Sequence, residues 1–170
     1  MNIFSNKRGY TLIELILTII IVGIIAGVSA QVLLRGIDAY SLIMNRKDAL
    51  QHARIGMDRM VSELSMVRNI DLSSISDTNI SFWDINGNLT NFRRRSQYNT
   101  YELYRGEDFL AGRLGLLDFD FYQSNGTSTS LPNSVRLINI ELTIQSLGGY
   151  GSIATRTNVF PRSFMYTNFR

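Results

Sequence analysis

Glu14 is the residue in this chain whose setting most needs a chemical reason. It heads an apolar run, Leu15 to Leu34, that contains no charged side chain. An ionised carboxylate carried into hydrocarbon costs at least about 2.5 kcal/mol and is kept where it has a partner or a task. Its natural partner there is a cation, because two buried charges are tolerated when paired, whereas an orphan costs about 3–5 kcal/mol. Just upstream stand Lys7, Arg8 and Gly9, the last a residue whose backbone can be approached closely because no side chain intervenes.

The remaining chemistry-bearing residues are sparse. There is no cysteine, which excludes disulfides, thiolate catalysis and cysteine metal sites. The single histidine, His52, falls in a helical stretch without a serine or cysteine nucleophile pattern, so no catalytic residue is expected. Asp118 and Asp120 share one strand face, but two carboxylates fall short of the six to eight oxygens that calcium takes; no metal and no cofactor is expected. Arg93-Arg94-Arg95, beside Phe92 and Tyr98, could neutralise phosphates. A charged hairpin arm is the preferred reading, and nucleic acid is not an expected partner. Asn79-Ile80-Ser81, Asn88-Leu89-Thr90 and Asn125-Gly126-Thr127 match the glycosylation sequon and are taken as ordinary loop residues. Gly148-Gly149-Tyr150-Gly151 lacks the strand-to-helix setting of a phosphate loop and reads as a flexible turn.

The elements that position Glu14 follow from periodicity. The 20 residues from Leu15 to Leu34, at about 1.5 Å per helical residue, span about 30 Å, the thickness of a bilayer core. Residues 10 to about 70 are predicted to form one long helix. Gly23 and Gly27 make a G-x-x-x-G pair that would let another helix approach closely. Past Arg35 the pattern turns amphipathic, with Leu50, Ala53, Met57, Met60, Leu64 and Val67 on one predicted stripe. Arg46, Lys47, Asp48, Arg54, Asp58, Arg59 and Glu63 are placed on an opposite, solvated face, with Arg54/Asp58 and Arg59/Glu63 spaced i,i+4.

Beyond Asn69 short strands are expected. Asp71 to Thr78 reads as a connector. Asn79 to Ile85 and Leu89 to Arg94 flank Asn86-Gly87-Asn88, a hairpin signal because Asn-Gly tolerates positive φ. Thr100 to Tyr104 and Leu116 to Tyr122 follow, the latter with Leu117, Phe119 and Phe121 on one face. Leu137 to Gln145 is the clearest strand, with Ile138, Ile140, Leu142 and Ile144 alternating with polar residues. A helix with one apolar stripe and a sheet with one apolar face satisfy each other, so the fold class expected is α+β.

The run Arg8-Gly9-Tyr10-Thr11-Leu12-Ile13-Glu14-Leu15 resembles the processing site of type IV pilins and of type II secretion pseudopilins. The resemblance implies a leader, residues 1–9, cut by a membrane prepilin peptidase between Gly9 and Tyr10, with methylation of the new N-terminus at Tyr10. Glu14 becomes the fifth mature residue and the assembly residue, neutralising the Tyr10 α-amine of a neighbouring subunit. Tyr10 stands where the family usually has phenylalanine. Gln31 stands near the helix-kinking proline of many major pilins, which leaves their melted segment without its cause here. The many pilins that close their C-terminal region with a disulfide also differ from this cysteine-free chain. Gly115 to Tyr122, Ile140 to Ile144 and Asn158 to Arg162 look like the minor branch that includes the J-type pseudopilin and tip-associated minor pilins.

The expected organisation is a leader at 1–9, a transmembrane and filament-core helix at 10–34, and an extracytoplasmic pilin-like domain at 35–170. Loss of the leader removes Lys7 and Arg8 and leaves 15 basic against 14 acidic residues, a near-neutral chain. The same two residues would hold the N-terminus in the cytoplasm, a signal weakened by Arg35, Arg46 and Lys47. The resemblance implies a non-enzymatic minor subunit of a type IV pilus, held in the inner membrane and then drawn into the filament. A minor secretion pseudopilin and a membrane-anchored binding domain are the alternatives. Prepilin peptidase and other pilin-type subunits are the expected partners.

Overall fold

Among the described residues one α-helix, α1 (Leu12–Leu64), precedes seven strands: β1 (Leu72–Ser76), β2 (Asn79–Trp83), β3 (Leu89–Gln97), β4 (Thr100–Arg105), β5 (Asp108–Tyr122), β6 (Leu137–Gln145) and β7 (Ser152–Val159). The computed structural model describes residues 10–67, 71–98, 100–149 and 151–161. The strands form one antiparallel sheet in chain order, β1 to β7. The expected α+β, pilin-like architecture is the one observed. Two compact units divide the chain, residues 1–43 and 44–170.

α1 has no break at Gln31, as expected where no proline removes a backbone donor. In the second unit its residues Ala49, Ala53, Gly56, Met57, Met60 and Leu64 are buried, together with Val67. This corrects the predicted stripe in one respect: Leu50 is 47% exposed, whereas Ala49 is fully buried. Hydrophobicity selects leucine, but close approach to a sheet selects small residues. Gly56 makes the point, since a Cβ there would lie 2.9 Å from Leu103 Cδ2 and 3.4 Å from Leu142 Cδ2.

The sheet presents Ile80, Phe82, Phe92, Leu103, Leu117, Phe119, Ile138, Ile140, Leu142 and Ile144 to this core, all essentially inaccessible. β6 alternates buried and half-buried positions along its length, as its period-2 pattern requires. The β2–β3 turn forms where Asn-Gly stands: Gly87 adopts φ 78°, and Asp84 Oδ1 accepts from the amides of Asn86 and Asn88, both at 2.9 Å. These donors hold the Asp84 carboxyl below its usual pKa, with a smaller contribution from Arg105. Because Asp84 closes the turn, β2 stops at Trp83 and not at Ile85.

Three strand expectations are corrected. The presumed connector 71–78 contains β1, an edge strand anchored by buried Leu72 and half-buried Ile75; its serines suit an edge, which must not invite further pairing. β7 lies where only a turn and a terminal likeness were read, and it pairs with β6 over eight consecutive positions. β5 begins eight residues before Leu116. Its first half escapes pattern reading because register shifts occur against both neighbours near Gly112–Leu116, and Arg113 lies in the left-handed region at φ 54°. Such a bulge re-aims a side chain: the Arg113 guanidinium meets Asp48 on α1 and donates to the Gln145 carbonyl at 3.2 Å.

The charged face of α1 also differs from expectation. Asp48 is engaged by Arg113, and Glu63 is held between Arg59 and Arg105. Arg105 Nε lies 2.7 Å from both Glu63 oxygens, and Arg105 Nη2 lies 3.8 Å from Asp84. Both carboxylates tie the helix to the sheet, Glu63 largely covered and Asp48 still 46% exposed. The Arg59/Glu63 i,i+4 pair does form.

Candidate functional site at the head of the helix

Thr11 immediately precedes α1 and Glu14 is its third residue. The Thr11 amide donates to Glu14 Oε2 at 2.8 Å, and the Thr11 hydroxyl donates to the same oxygen at 2.9 Å. In return the Glu14 amide donates to Thr11 Oγ1 at 3.4 Å. Leu15 N donates to the Thr11 carbonyl at 3.2 Å and begins the helical ladder. This reciprocal arrangement is a capping box, in which residue and helix start satisfy each other's orphan donors. A carboxylate in the first turn also faces the positive end of the helix dipole. Glu14 thus has a local reason to exist that the apolar run alone does not reveal. The Thr-x-x-Glu spacing was the available signal, and Thr11 is the residue the sequence reading missed.

The cap occupies one carboxylate oxygen. Among the described residues, Oε1 accepts no hydrogen bond, so it remains open to a donor from outside the chain. Tyr10, beside it, is 88% exposed. Gly9 and the leader, residues 1–9, lie outside the described residues.

Every residue from Tyr10 to Ser41 is exposed, including Ile16, Ile19, Ile20, Ile21, Ile24 and Ile25. α1 is long and apolar enough to cross a membrane, and none of its most apolar 18-residue window is buried by the chain. At Gly23 and Gly27 an added Cβ would meet nothing within 4 Å. Among the described residues no contact therefore demands glycine at either position.

The other candidates resolve into structure. His52 places its ring edge-on to Phe109, with centroids 6.3 Å apart, and Nε2 3.8 Å from Asp48 Oδ1. Its Nδ1 is buried without a hydrogen-bond partner. Arg93 and Arg95 both reach Glu107, at 2.6 and 3.4 Å, and the Arg94 guanidinium sits 4.5 Å from the Tyr101 ring centroid. The arginine triplet thus has partners on the neighbouring strand β4 and in the β4–β5 turn. Asp118 is pushed above the usual carboxylate range, chiefly by burial and then by the charges of Asp120, Asp77 and Glu141. Arg156 partly offsets that acidic face, 3.9 Å from Asp120 and 4.0 Å from Glu141.

Residues 4–30 match the family model described as the prokaryotic N-terminal methylation motif. No curated protein matches the chain. The matched stretch contains Gly9, Tyr10, Thr11 and Glu14, together with Gly23 and Gly27. It supports a pilin-type or pseudopilin subunit, a structural component rather than an enzyme, and it implies processing by prepilin peptidase and assembly with other pilin-type subunits. With the exposed apolar helix it also supports membrane anchoring.

Proposed function

We propose that this chain is a minor structural subunit of a type IV pilus. Residues 1–9 are its leader, 10–34 its membrane and filament-core helix, and 35–170 its extracytoplasmic domain. Prepilin peptidase cuts after Gly9 and methylates Tyr10 in the inner membrane, with the N-terminus in the cytoplasm. The apolar helix then leaves lipid for the filament core, where Gly23 and Gly27 admit a neighbouring helix. Glu14 keeps its cap through Oε2 and accepts a neighbour's Tyr10 ammonium through Oε1. Pairing makes both charges tolerable in an apolar core.

The observation that carries this reading is the methylation motif at the head of a helix whose apolar side chains the chain itself leaves uncovered. The minor assignment rests on the likeness of Gly115–Tyr122 and Ile140–Ile144 to the minor branch. A minor pseudopilin of type II secretion uses the same processing and packing; recovery from sheared surface filaments separates the two. Intact-mass measurement of membrane-purified chain, from strains with and without prepilin peptidase, tests the core of the proposal. The expected result is loss of Met1 to Gly9 and gain of one methyl group only where the peptidase is present. Equal masses in the two strains would refute it.

A further inference from the structure

The two edges of the sheet are unequal. β1 is five residues long, its register against β2 shifts between Leu72 and Ser74, and the short 3-10 turn Pro132–Ser134 lies against it. Shortness, irregularity and cover all keep an edge from recruiting another strand. β7 has none of them. It pairs with β6 over eight consecutive positions without a shift, and it contains no proline, glycine or lysine. Among the described residues its backbone bonds to no segment but β6.

Two contacts set the phase of that pairing. Ser146 N donates to the Gly151 carbonyl at 2.9 Å, while the Gln145 carbonyl is turned towards Arg113 on β5. Facing residues of an antiparallel pair alternate between bonded and non-bonded. Ile153, Thr155, Thr157 and Val159 therefore bond to β6, and the N–H and C=O groups of Ser152, Ala154, Arg156 and Asn158 point to the open side. On the core side Ile153, Thr155 and Thr157 are only half-buried, and Ile153 packs against the core. On the other side Arg156 ends a row that runs Asp118, Glu141, Arg156 across β5, β6 and β7. Its side chain is 60% exposed, with Nε donating to Asn139 at 3.0 Å and Nη2 3.9 Å from Asp120.

We propose that β7 is a docking edge for an extended segment of another protein, which adds an eighth strand to the seven-stranded sheet. The segment sets a carboxylate opposite Arg156 and lays apolar or β-branched side chains over Ile153 and Thr155. In strand addition main-chain bonds supply affinity and alternate side chains supply selectivity. Charge decides the partner, because opposite charges on facing strand positions attract and like charges repel. A second copy pairing antiparallel about Thr155 would set Arg156 diagonal to its own equivalent, and one pairing in parallel register would set it directly beside. A foreign segment with a carboxylate meets neither conflict.

The test is residue-resolved amide exchange on the full-length chain in detergent. It is run alone and with peptides as long as β7, of alternating valine and threonine, that carry one central glutamate or one central lysine. In the free chain the amides of Ser152, Ala154, Arg156 and Asn158 should exchange at least ~100-fold faster than those of Ile153, Thr155 and Thr157, which are bonded to β6. If the outward amides are already slow, the edge is covered by the chain itself or by a second copy, and the proposal falls. The glutamate peptide should slow them and bind about fivefold more tightly than the lysine peptide, a preference that Arg156→Gln removes. The glutamate peptide N-methylated on its bonding amides should leave them fast, because strand addition uses those donors. No slowing by the glutamate peptide, equal affinity for the two charges, or binding undiminished by N-methylation would each overturn the proposal.

Discussion

The two units of this chain handle apolar side chains in opposite ways. Ile138, Ile140 and Ile144 are fully buried by the chain's own sheet and helix, while Ile19, Ile20 and Ile21 are 63%, 53% and 47% exposed. Each large aliphatic side chain left in water forgoes about 1.5–3 kcal/mol of burial, which over residues 12–34 amounts to roughly tens of kcal/mol. The difference teaches that the apolar surface of the first unit suits lipid or other helices, whereas the second unit buries a core of its own.

The comparison is broken most severely at Glu14. Glu14→Val should leave membrane insertion and processing intact or improved, since a carboxylate is removed from hydrocarbon, yet reduce recovery in filaments at least ~10-fold, consistent with an orphaned buried ammonium. Glu14→Gln sharpens the test, because glutamine also serves a capping box but cannot neutralise an amine. If Glu14→Gln assembles normally, the cap is all that Glu14 provides. Filament recovery and N-terminal mass, in a strain lacking the native copy, read both outcomes.

The next effect separates the units by stability. Phe119→Ala should cost about 3–5 kcal/mol through a cavity in the core, lowering the thermal midpoint of the detergent-solubilised chain. Ile20→Ala, of comparable hydrophobic character but unburied, should leave that midpoint unchanged. Equal shifts would show that the first unit has a fold of its own to lose.

Gly56→Val follows. The added methyls press on Leu103 and Leu142 in a close-packed core, and overpacking of this kind costs about 1–3 kcal/mol. Urea unfolding should show a lower midpoint with an unchanged slope. A neutral result would mean that the helix and sheet have slack at their closest approach.

The smallest effect concerns Asp118. Its carboxyl is raised by burial and by neighbouring carboxylates, so the native state holds the proton more tightly than the unfolded chain does. Stability should therefore fall as pH rises from the ordinary aspartate range through the raised native value. Asp118→Asn removes that loss and should stabilise the chain at neutral pH by a fraction of a kcal/mol, screened because the group is half exposed. The gain should vanish in acid. Thermal melts across that pH interval would contradict the argument if the variant gained equally at every pH.

What could be read in advance follows from how each residue type advertises itself. Phe119, Phe121 and the β6 isoleucines alternate with polar neighbours, so their faces were legible. β7, with Ser152, Ala154, Arg156 and Asn158 outward and only Val159 fully buried, carries too little apolar contrast to announce a strand. Arg113 hid the first half of β5 by breaking its alternation. Ala49 and Gly56 matter through the volume they do not occupy, which hydropathy cannot report. At the head of the helix, the apolar run made Glu14 conspicuous but drew attention away from Thr11, whose hydrogen bonds to it required only a three-residue spacing.

The unbroken chain order of the sheet bears on how the second unit comes into being. Every strand after β1 pairs with the one made just before it, so none waits for a partner encoded far downstream. Topologies with such local pairings close small loops and fold fast for their size. The part of α1 that covers the sheet is synthesised first and is present as each strand arrives. A cysteine-free domain delivered N-terminus first can thus add structure one strand at a time, with no oxidation step to time and no long-range crossover to search for.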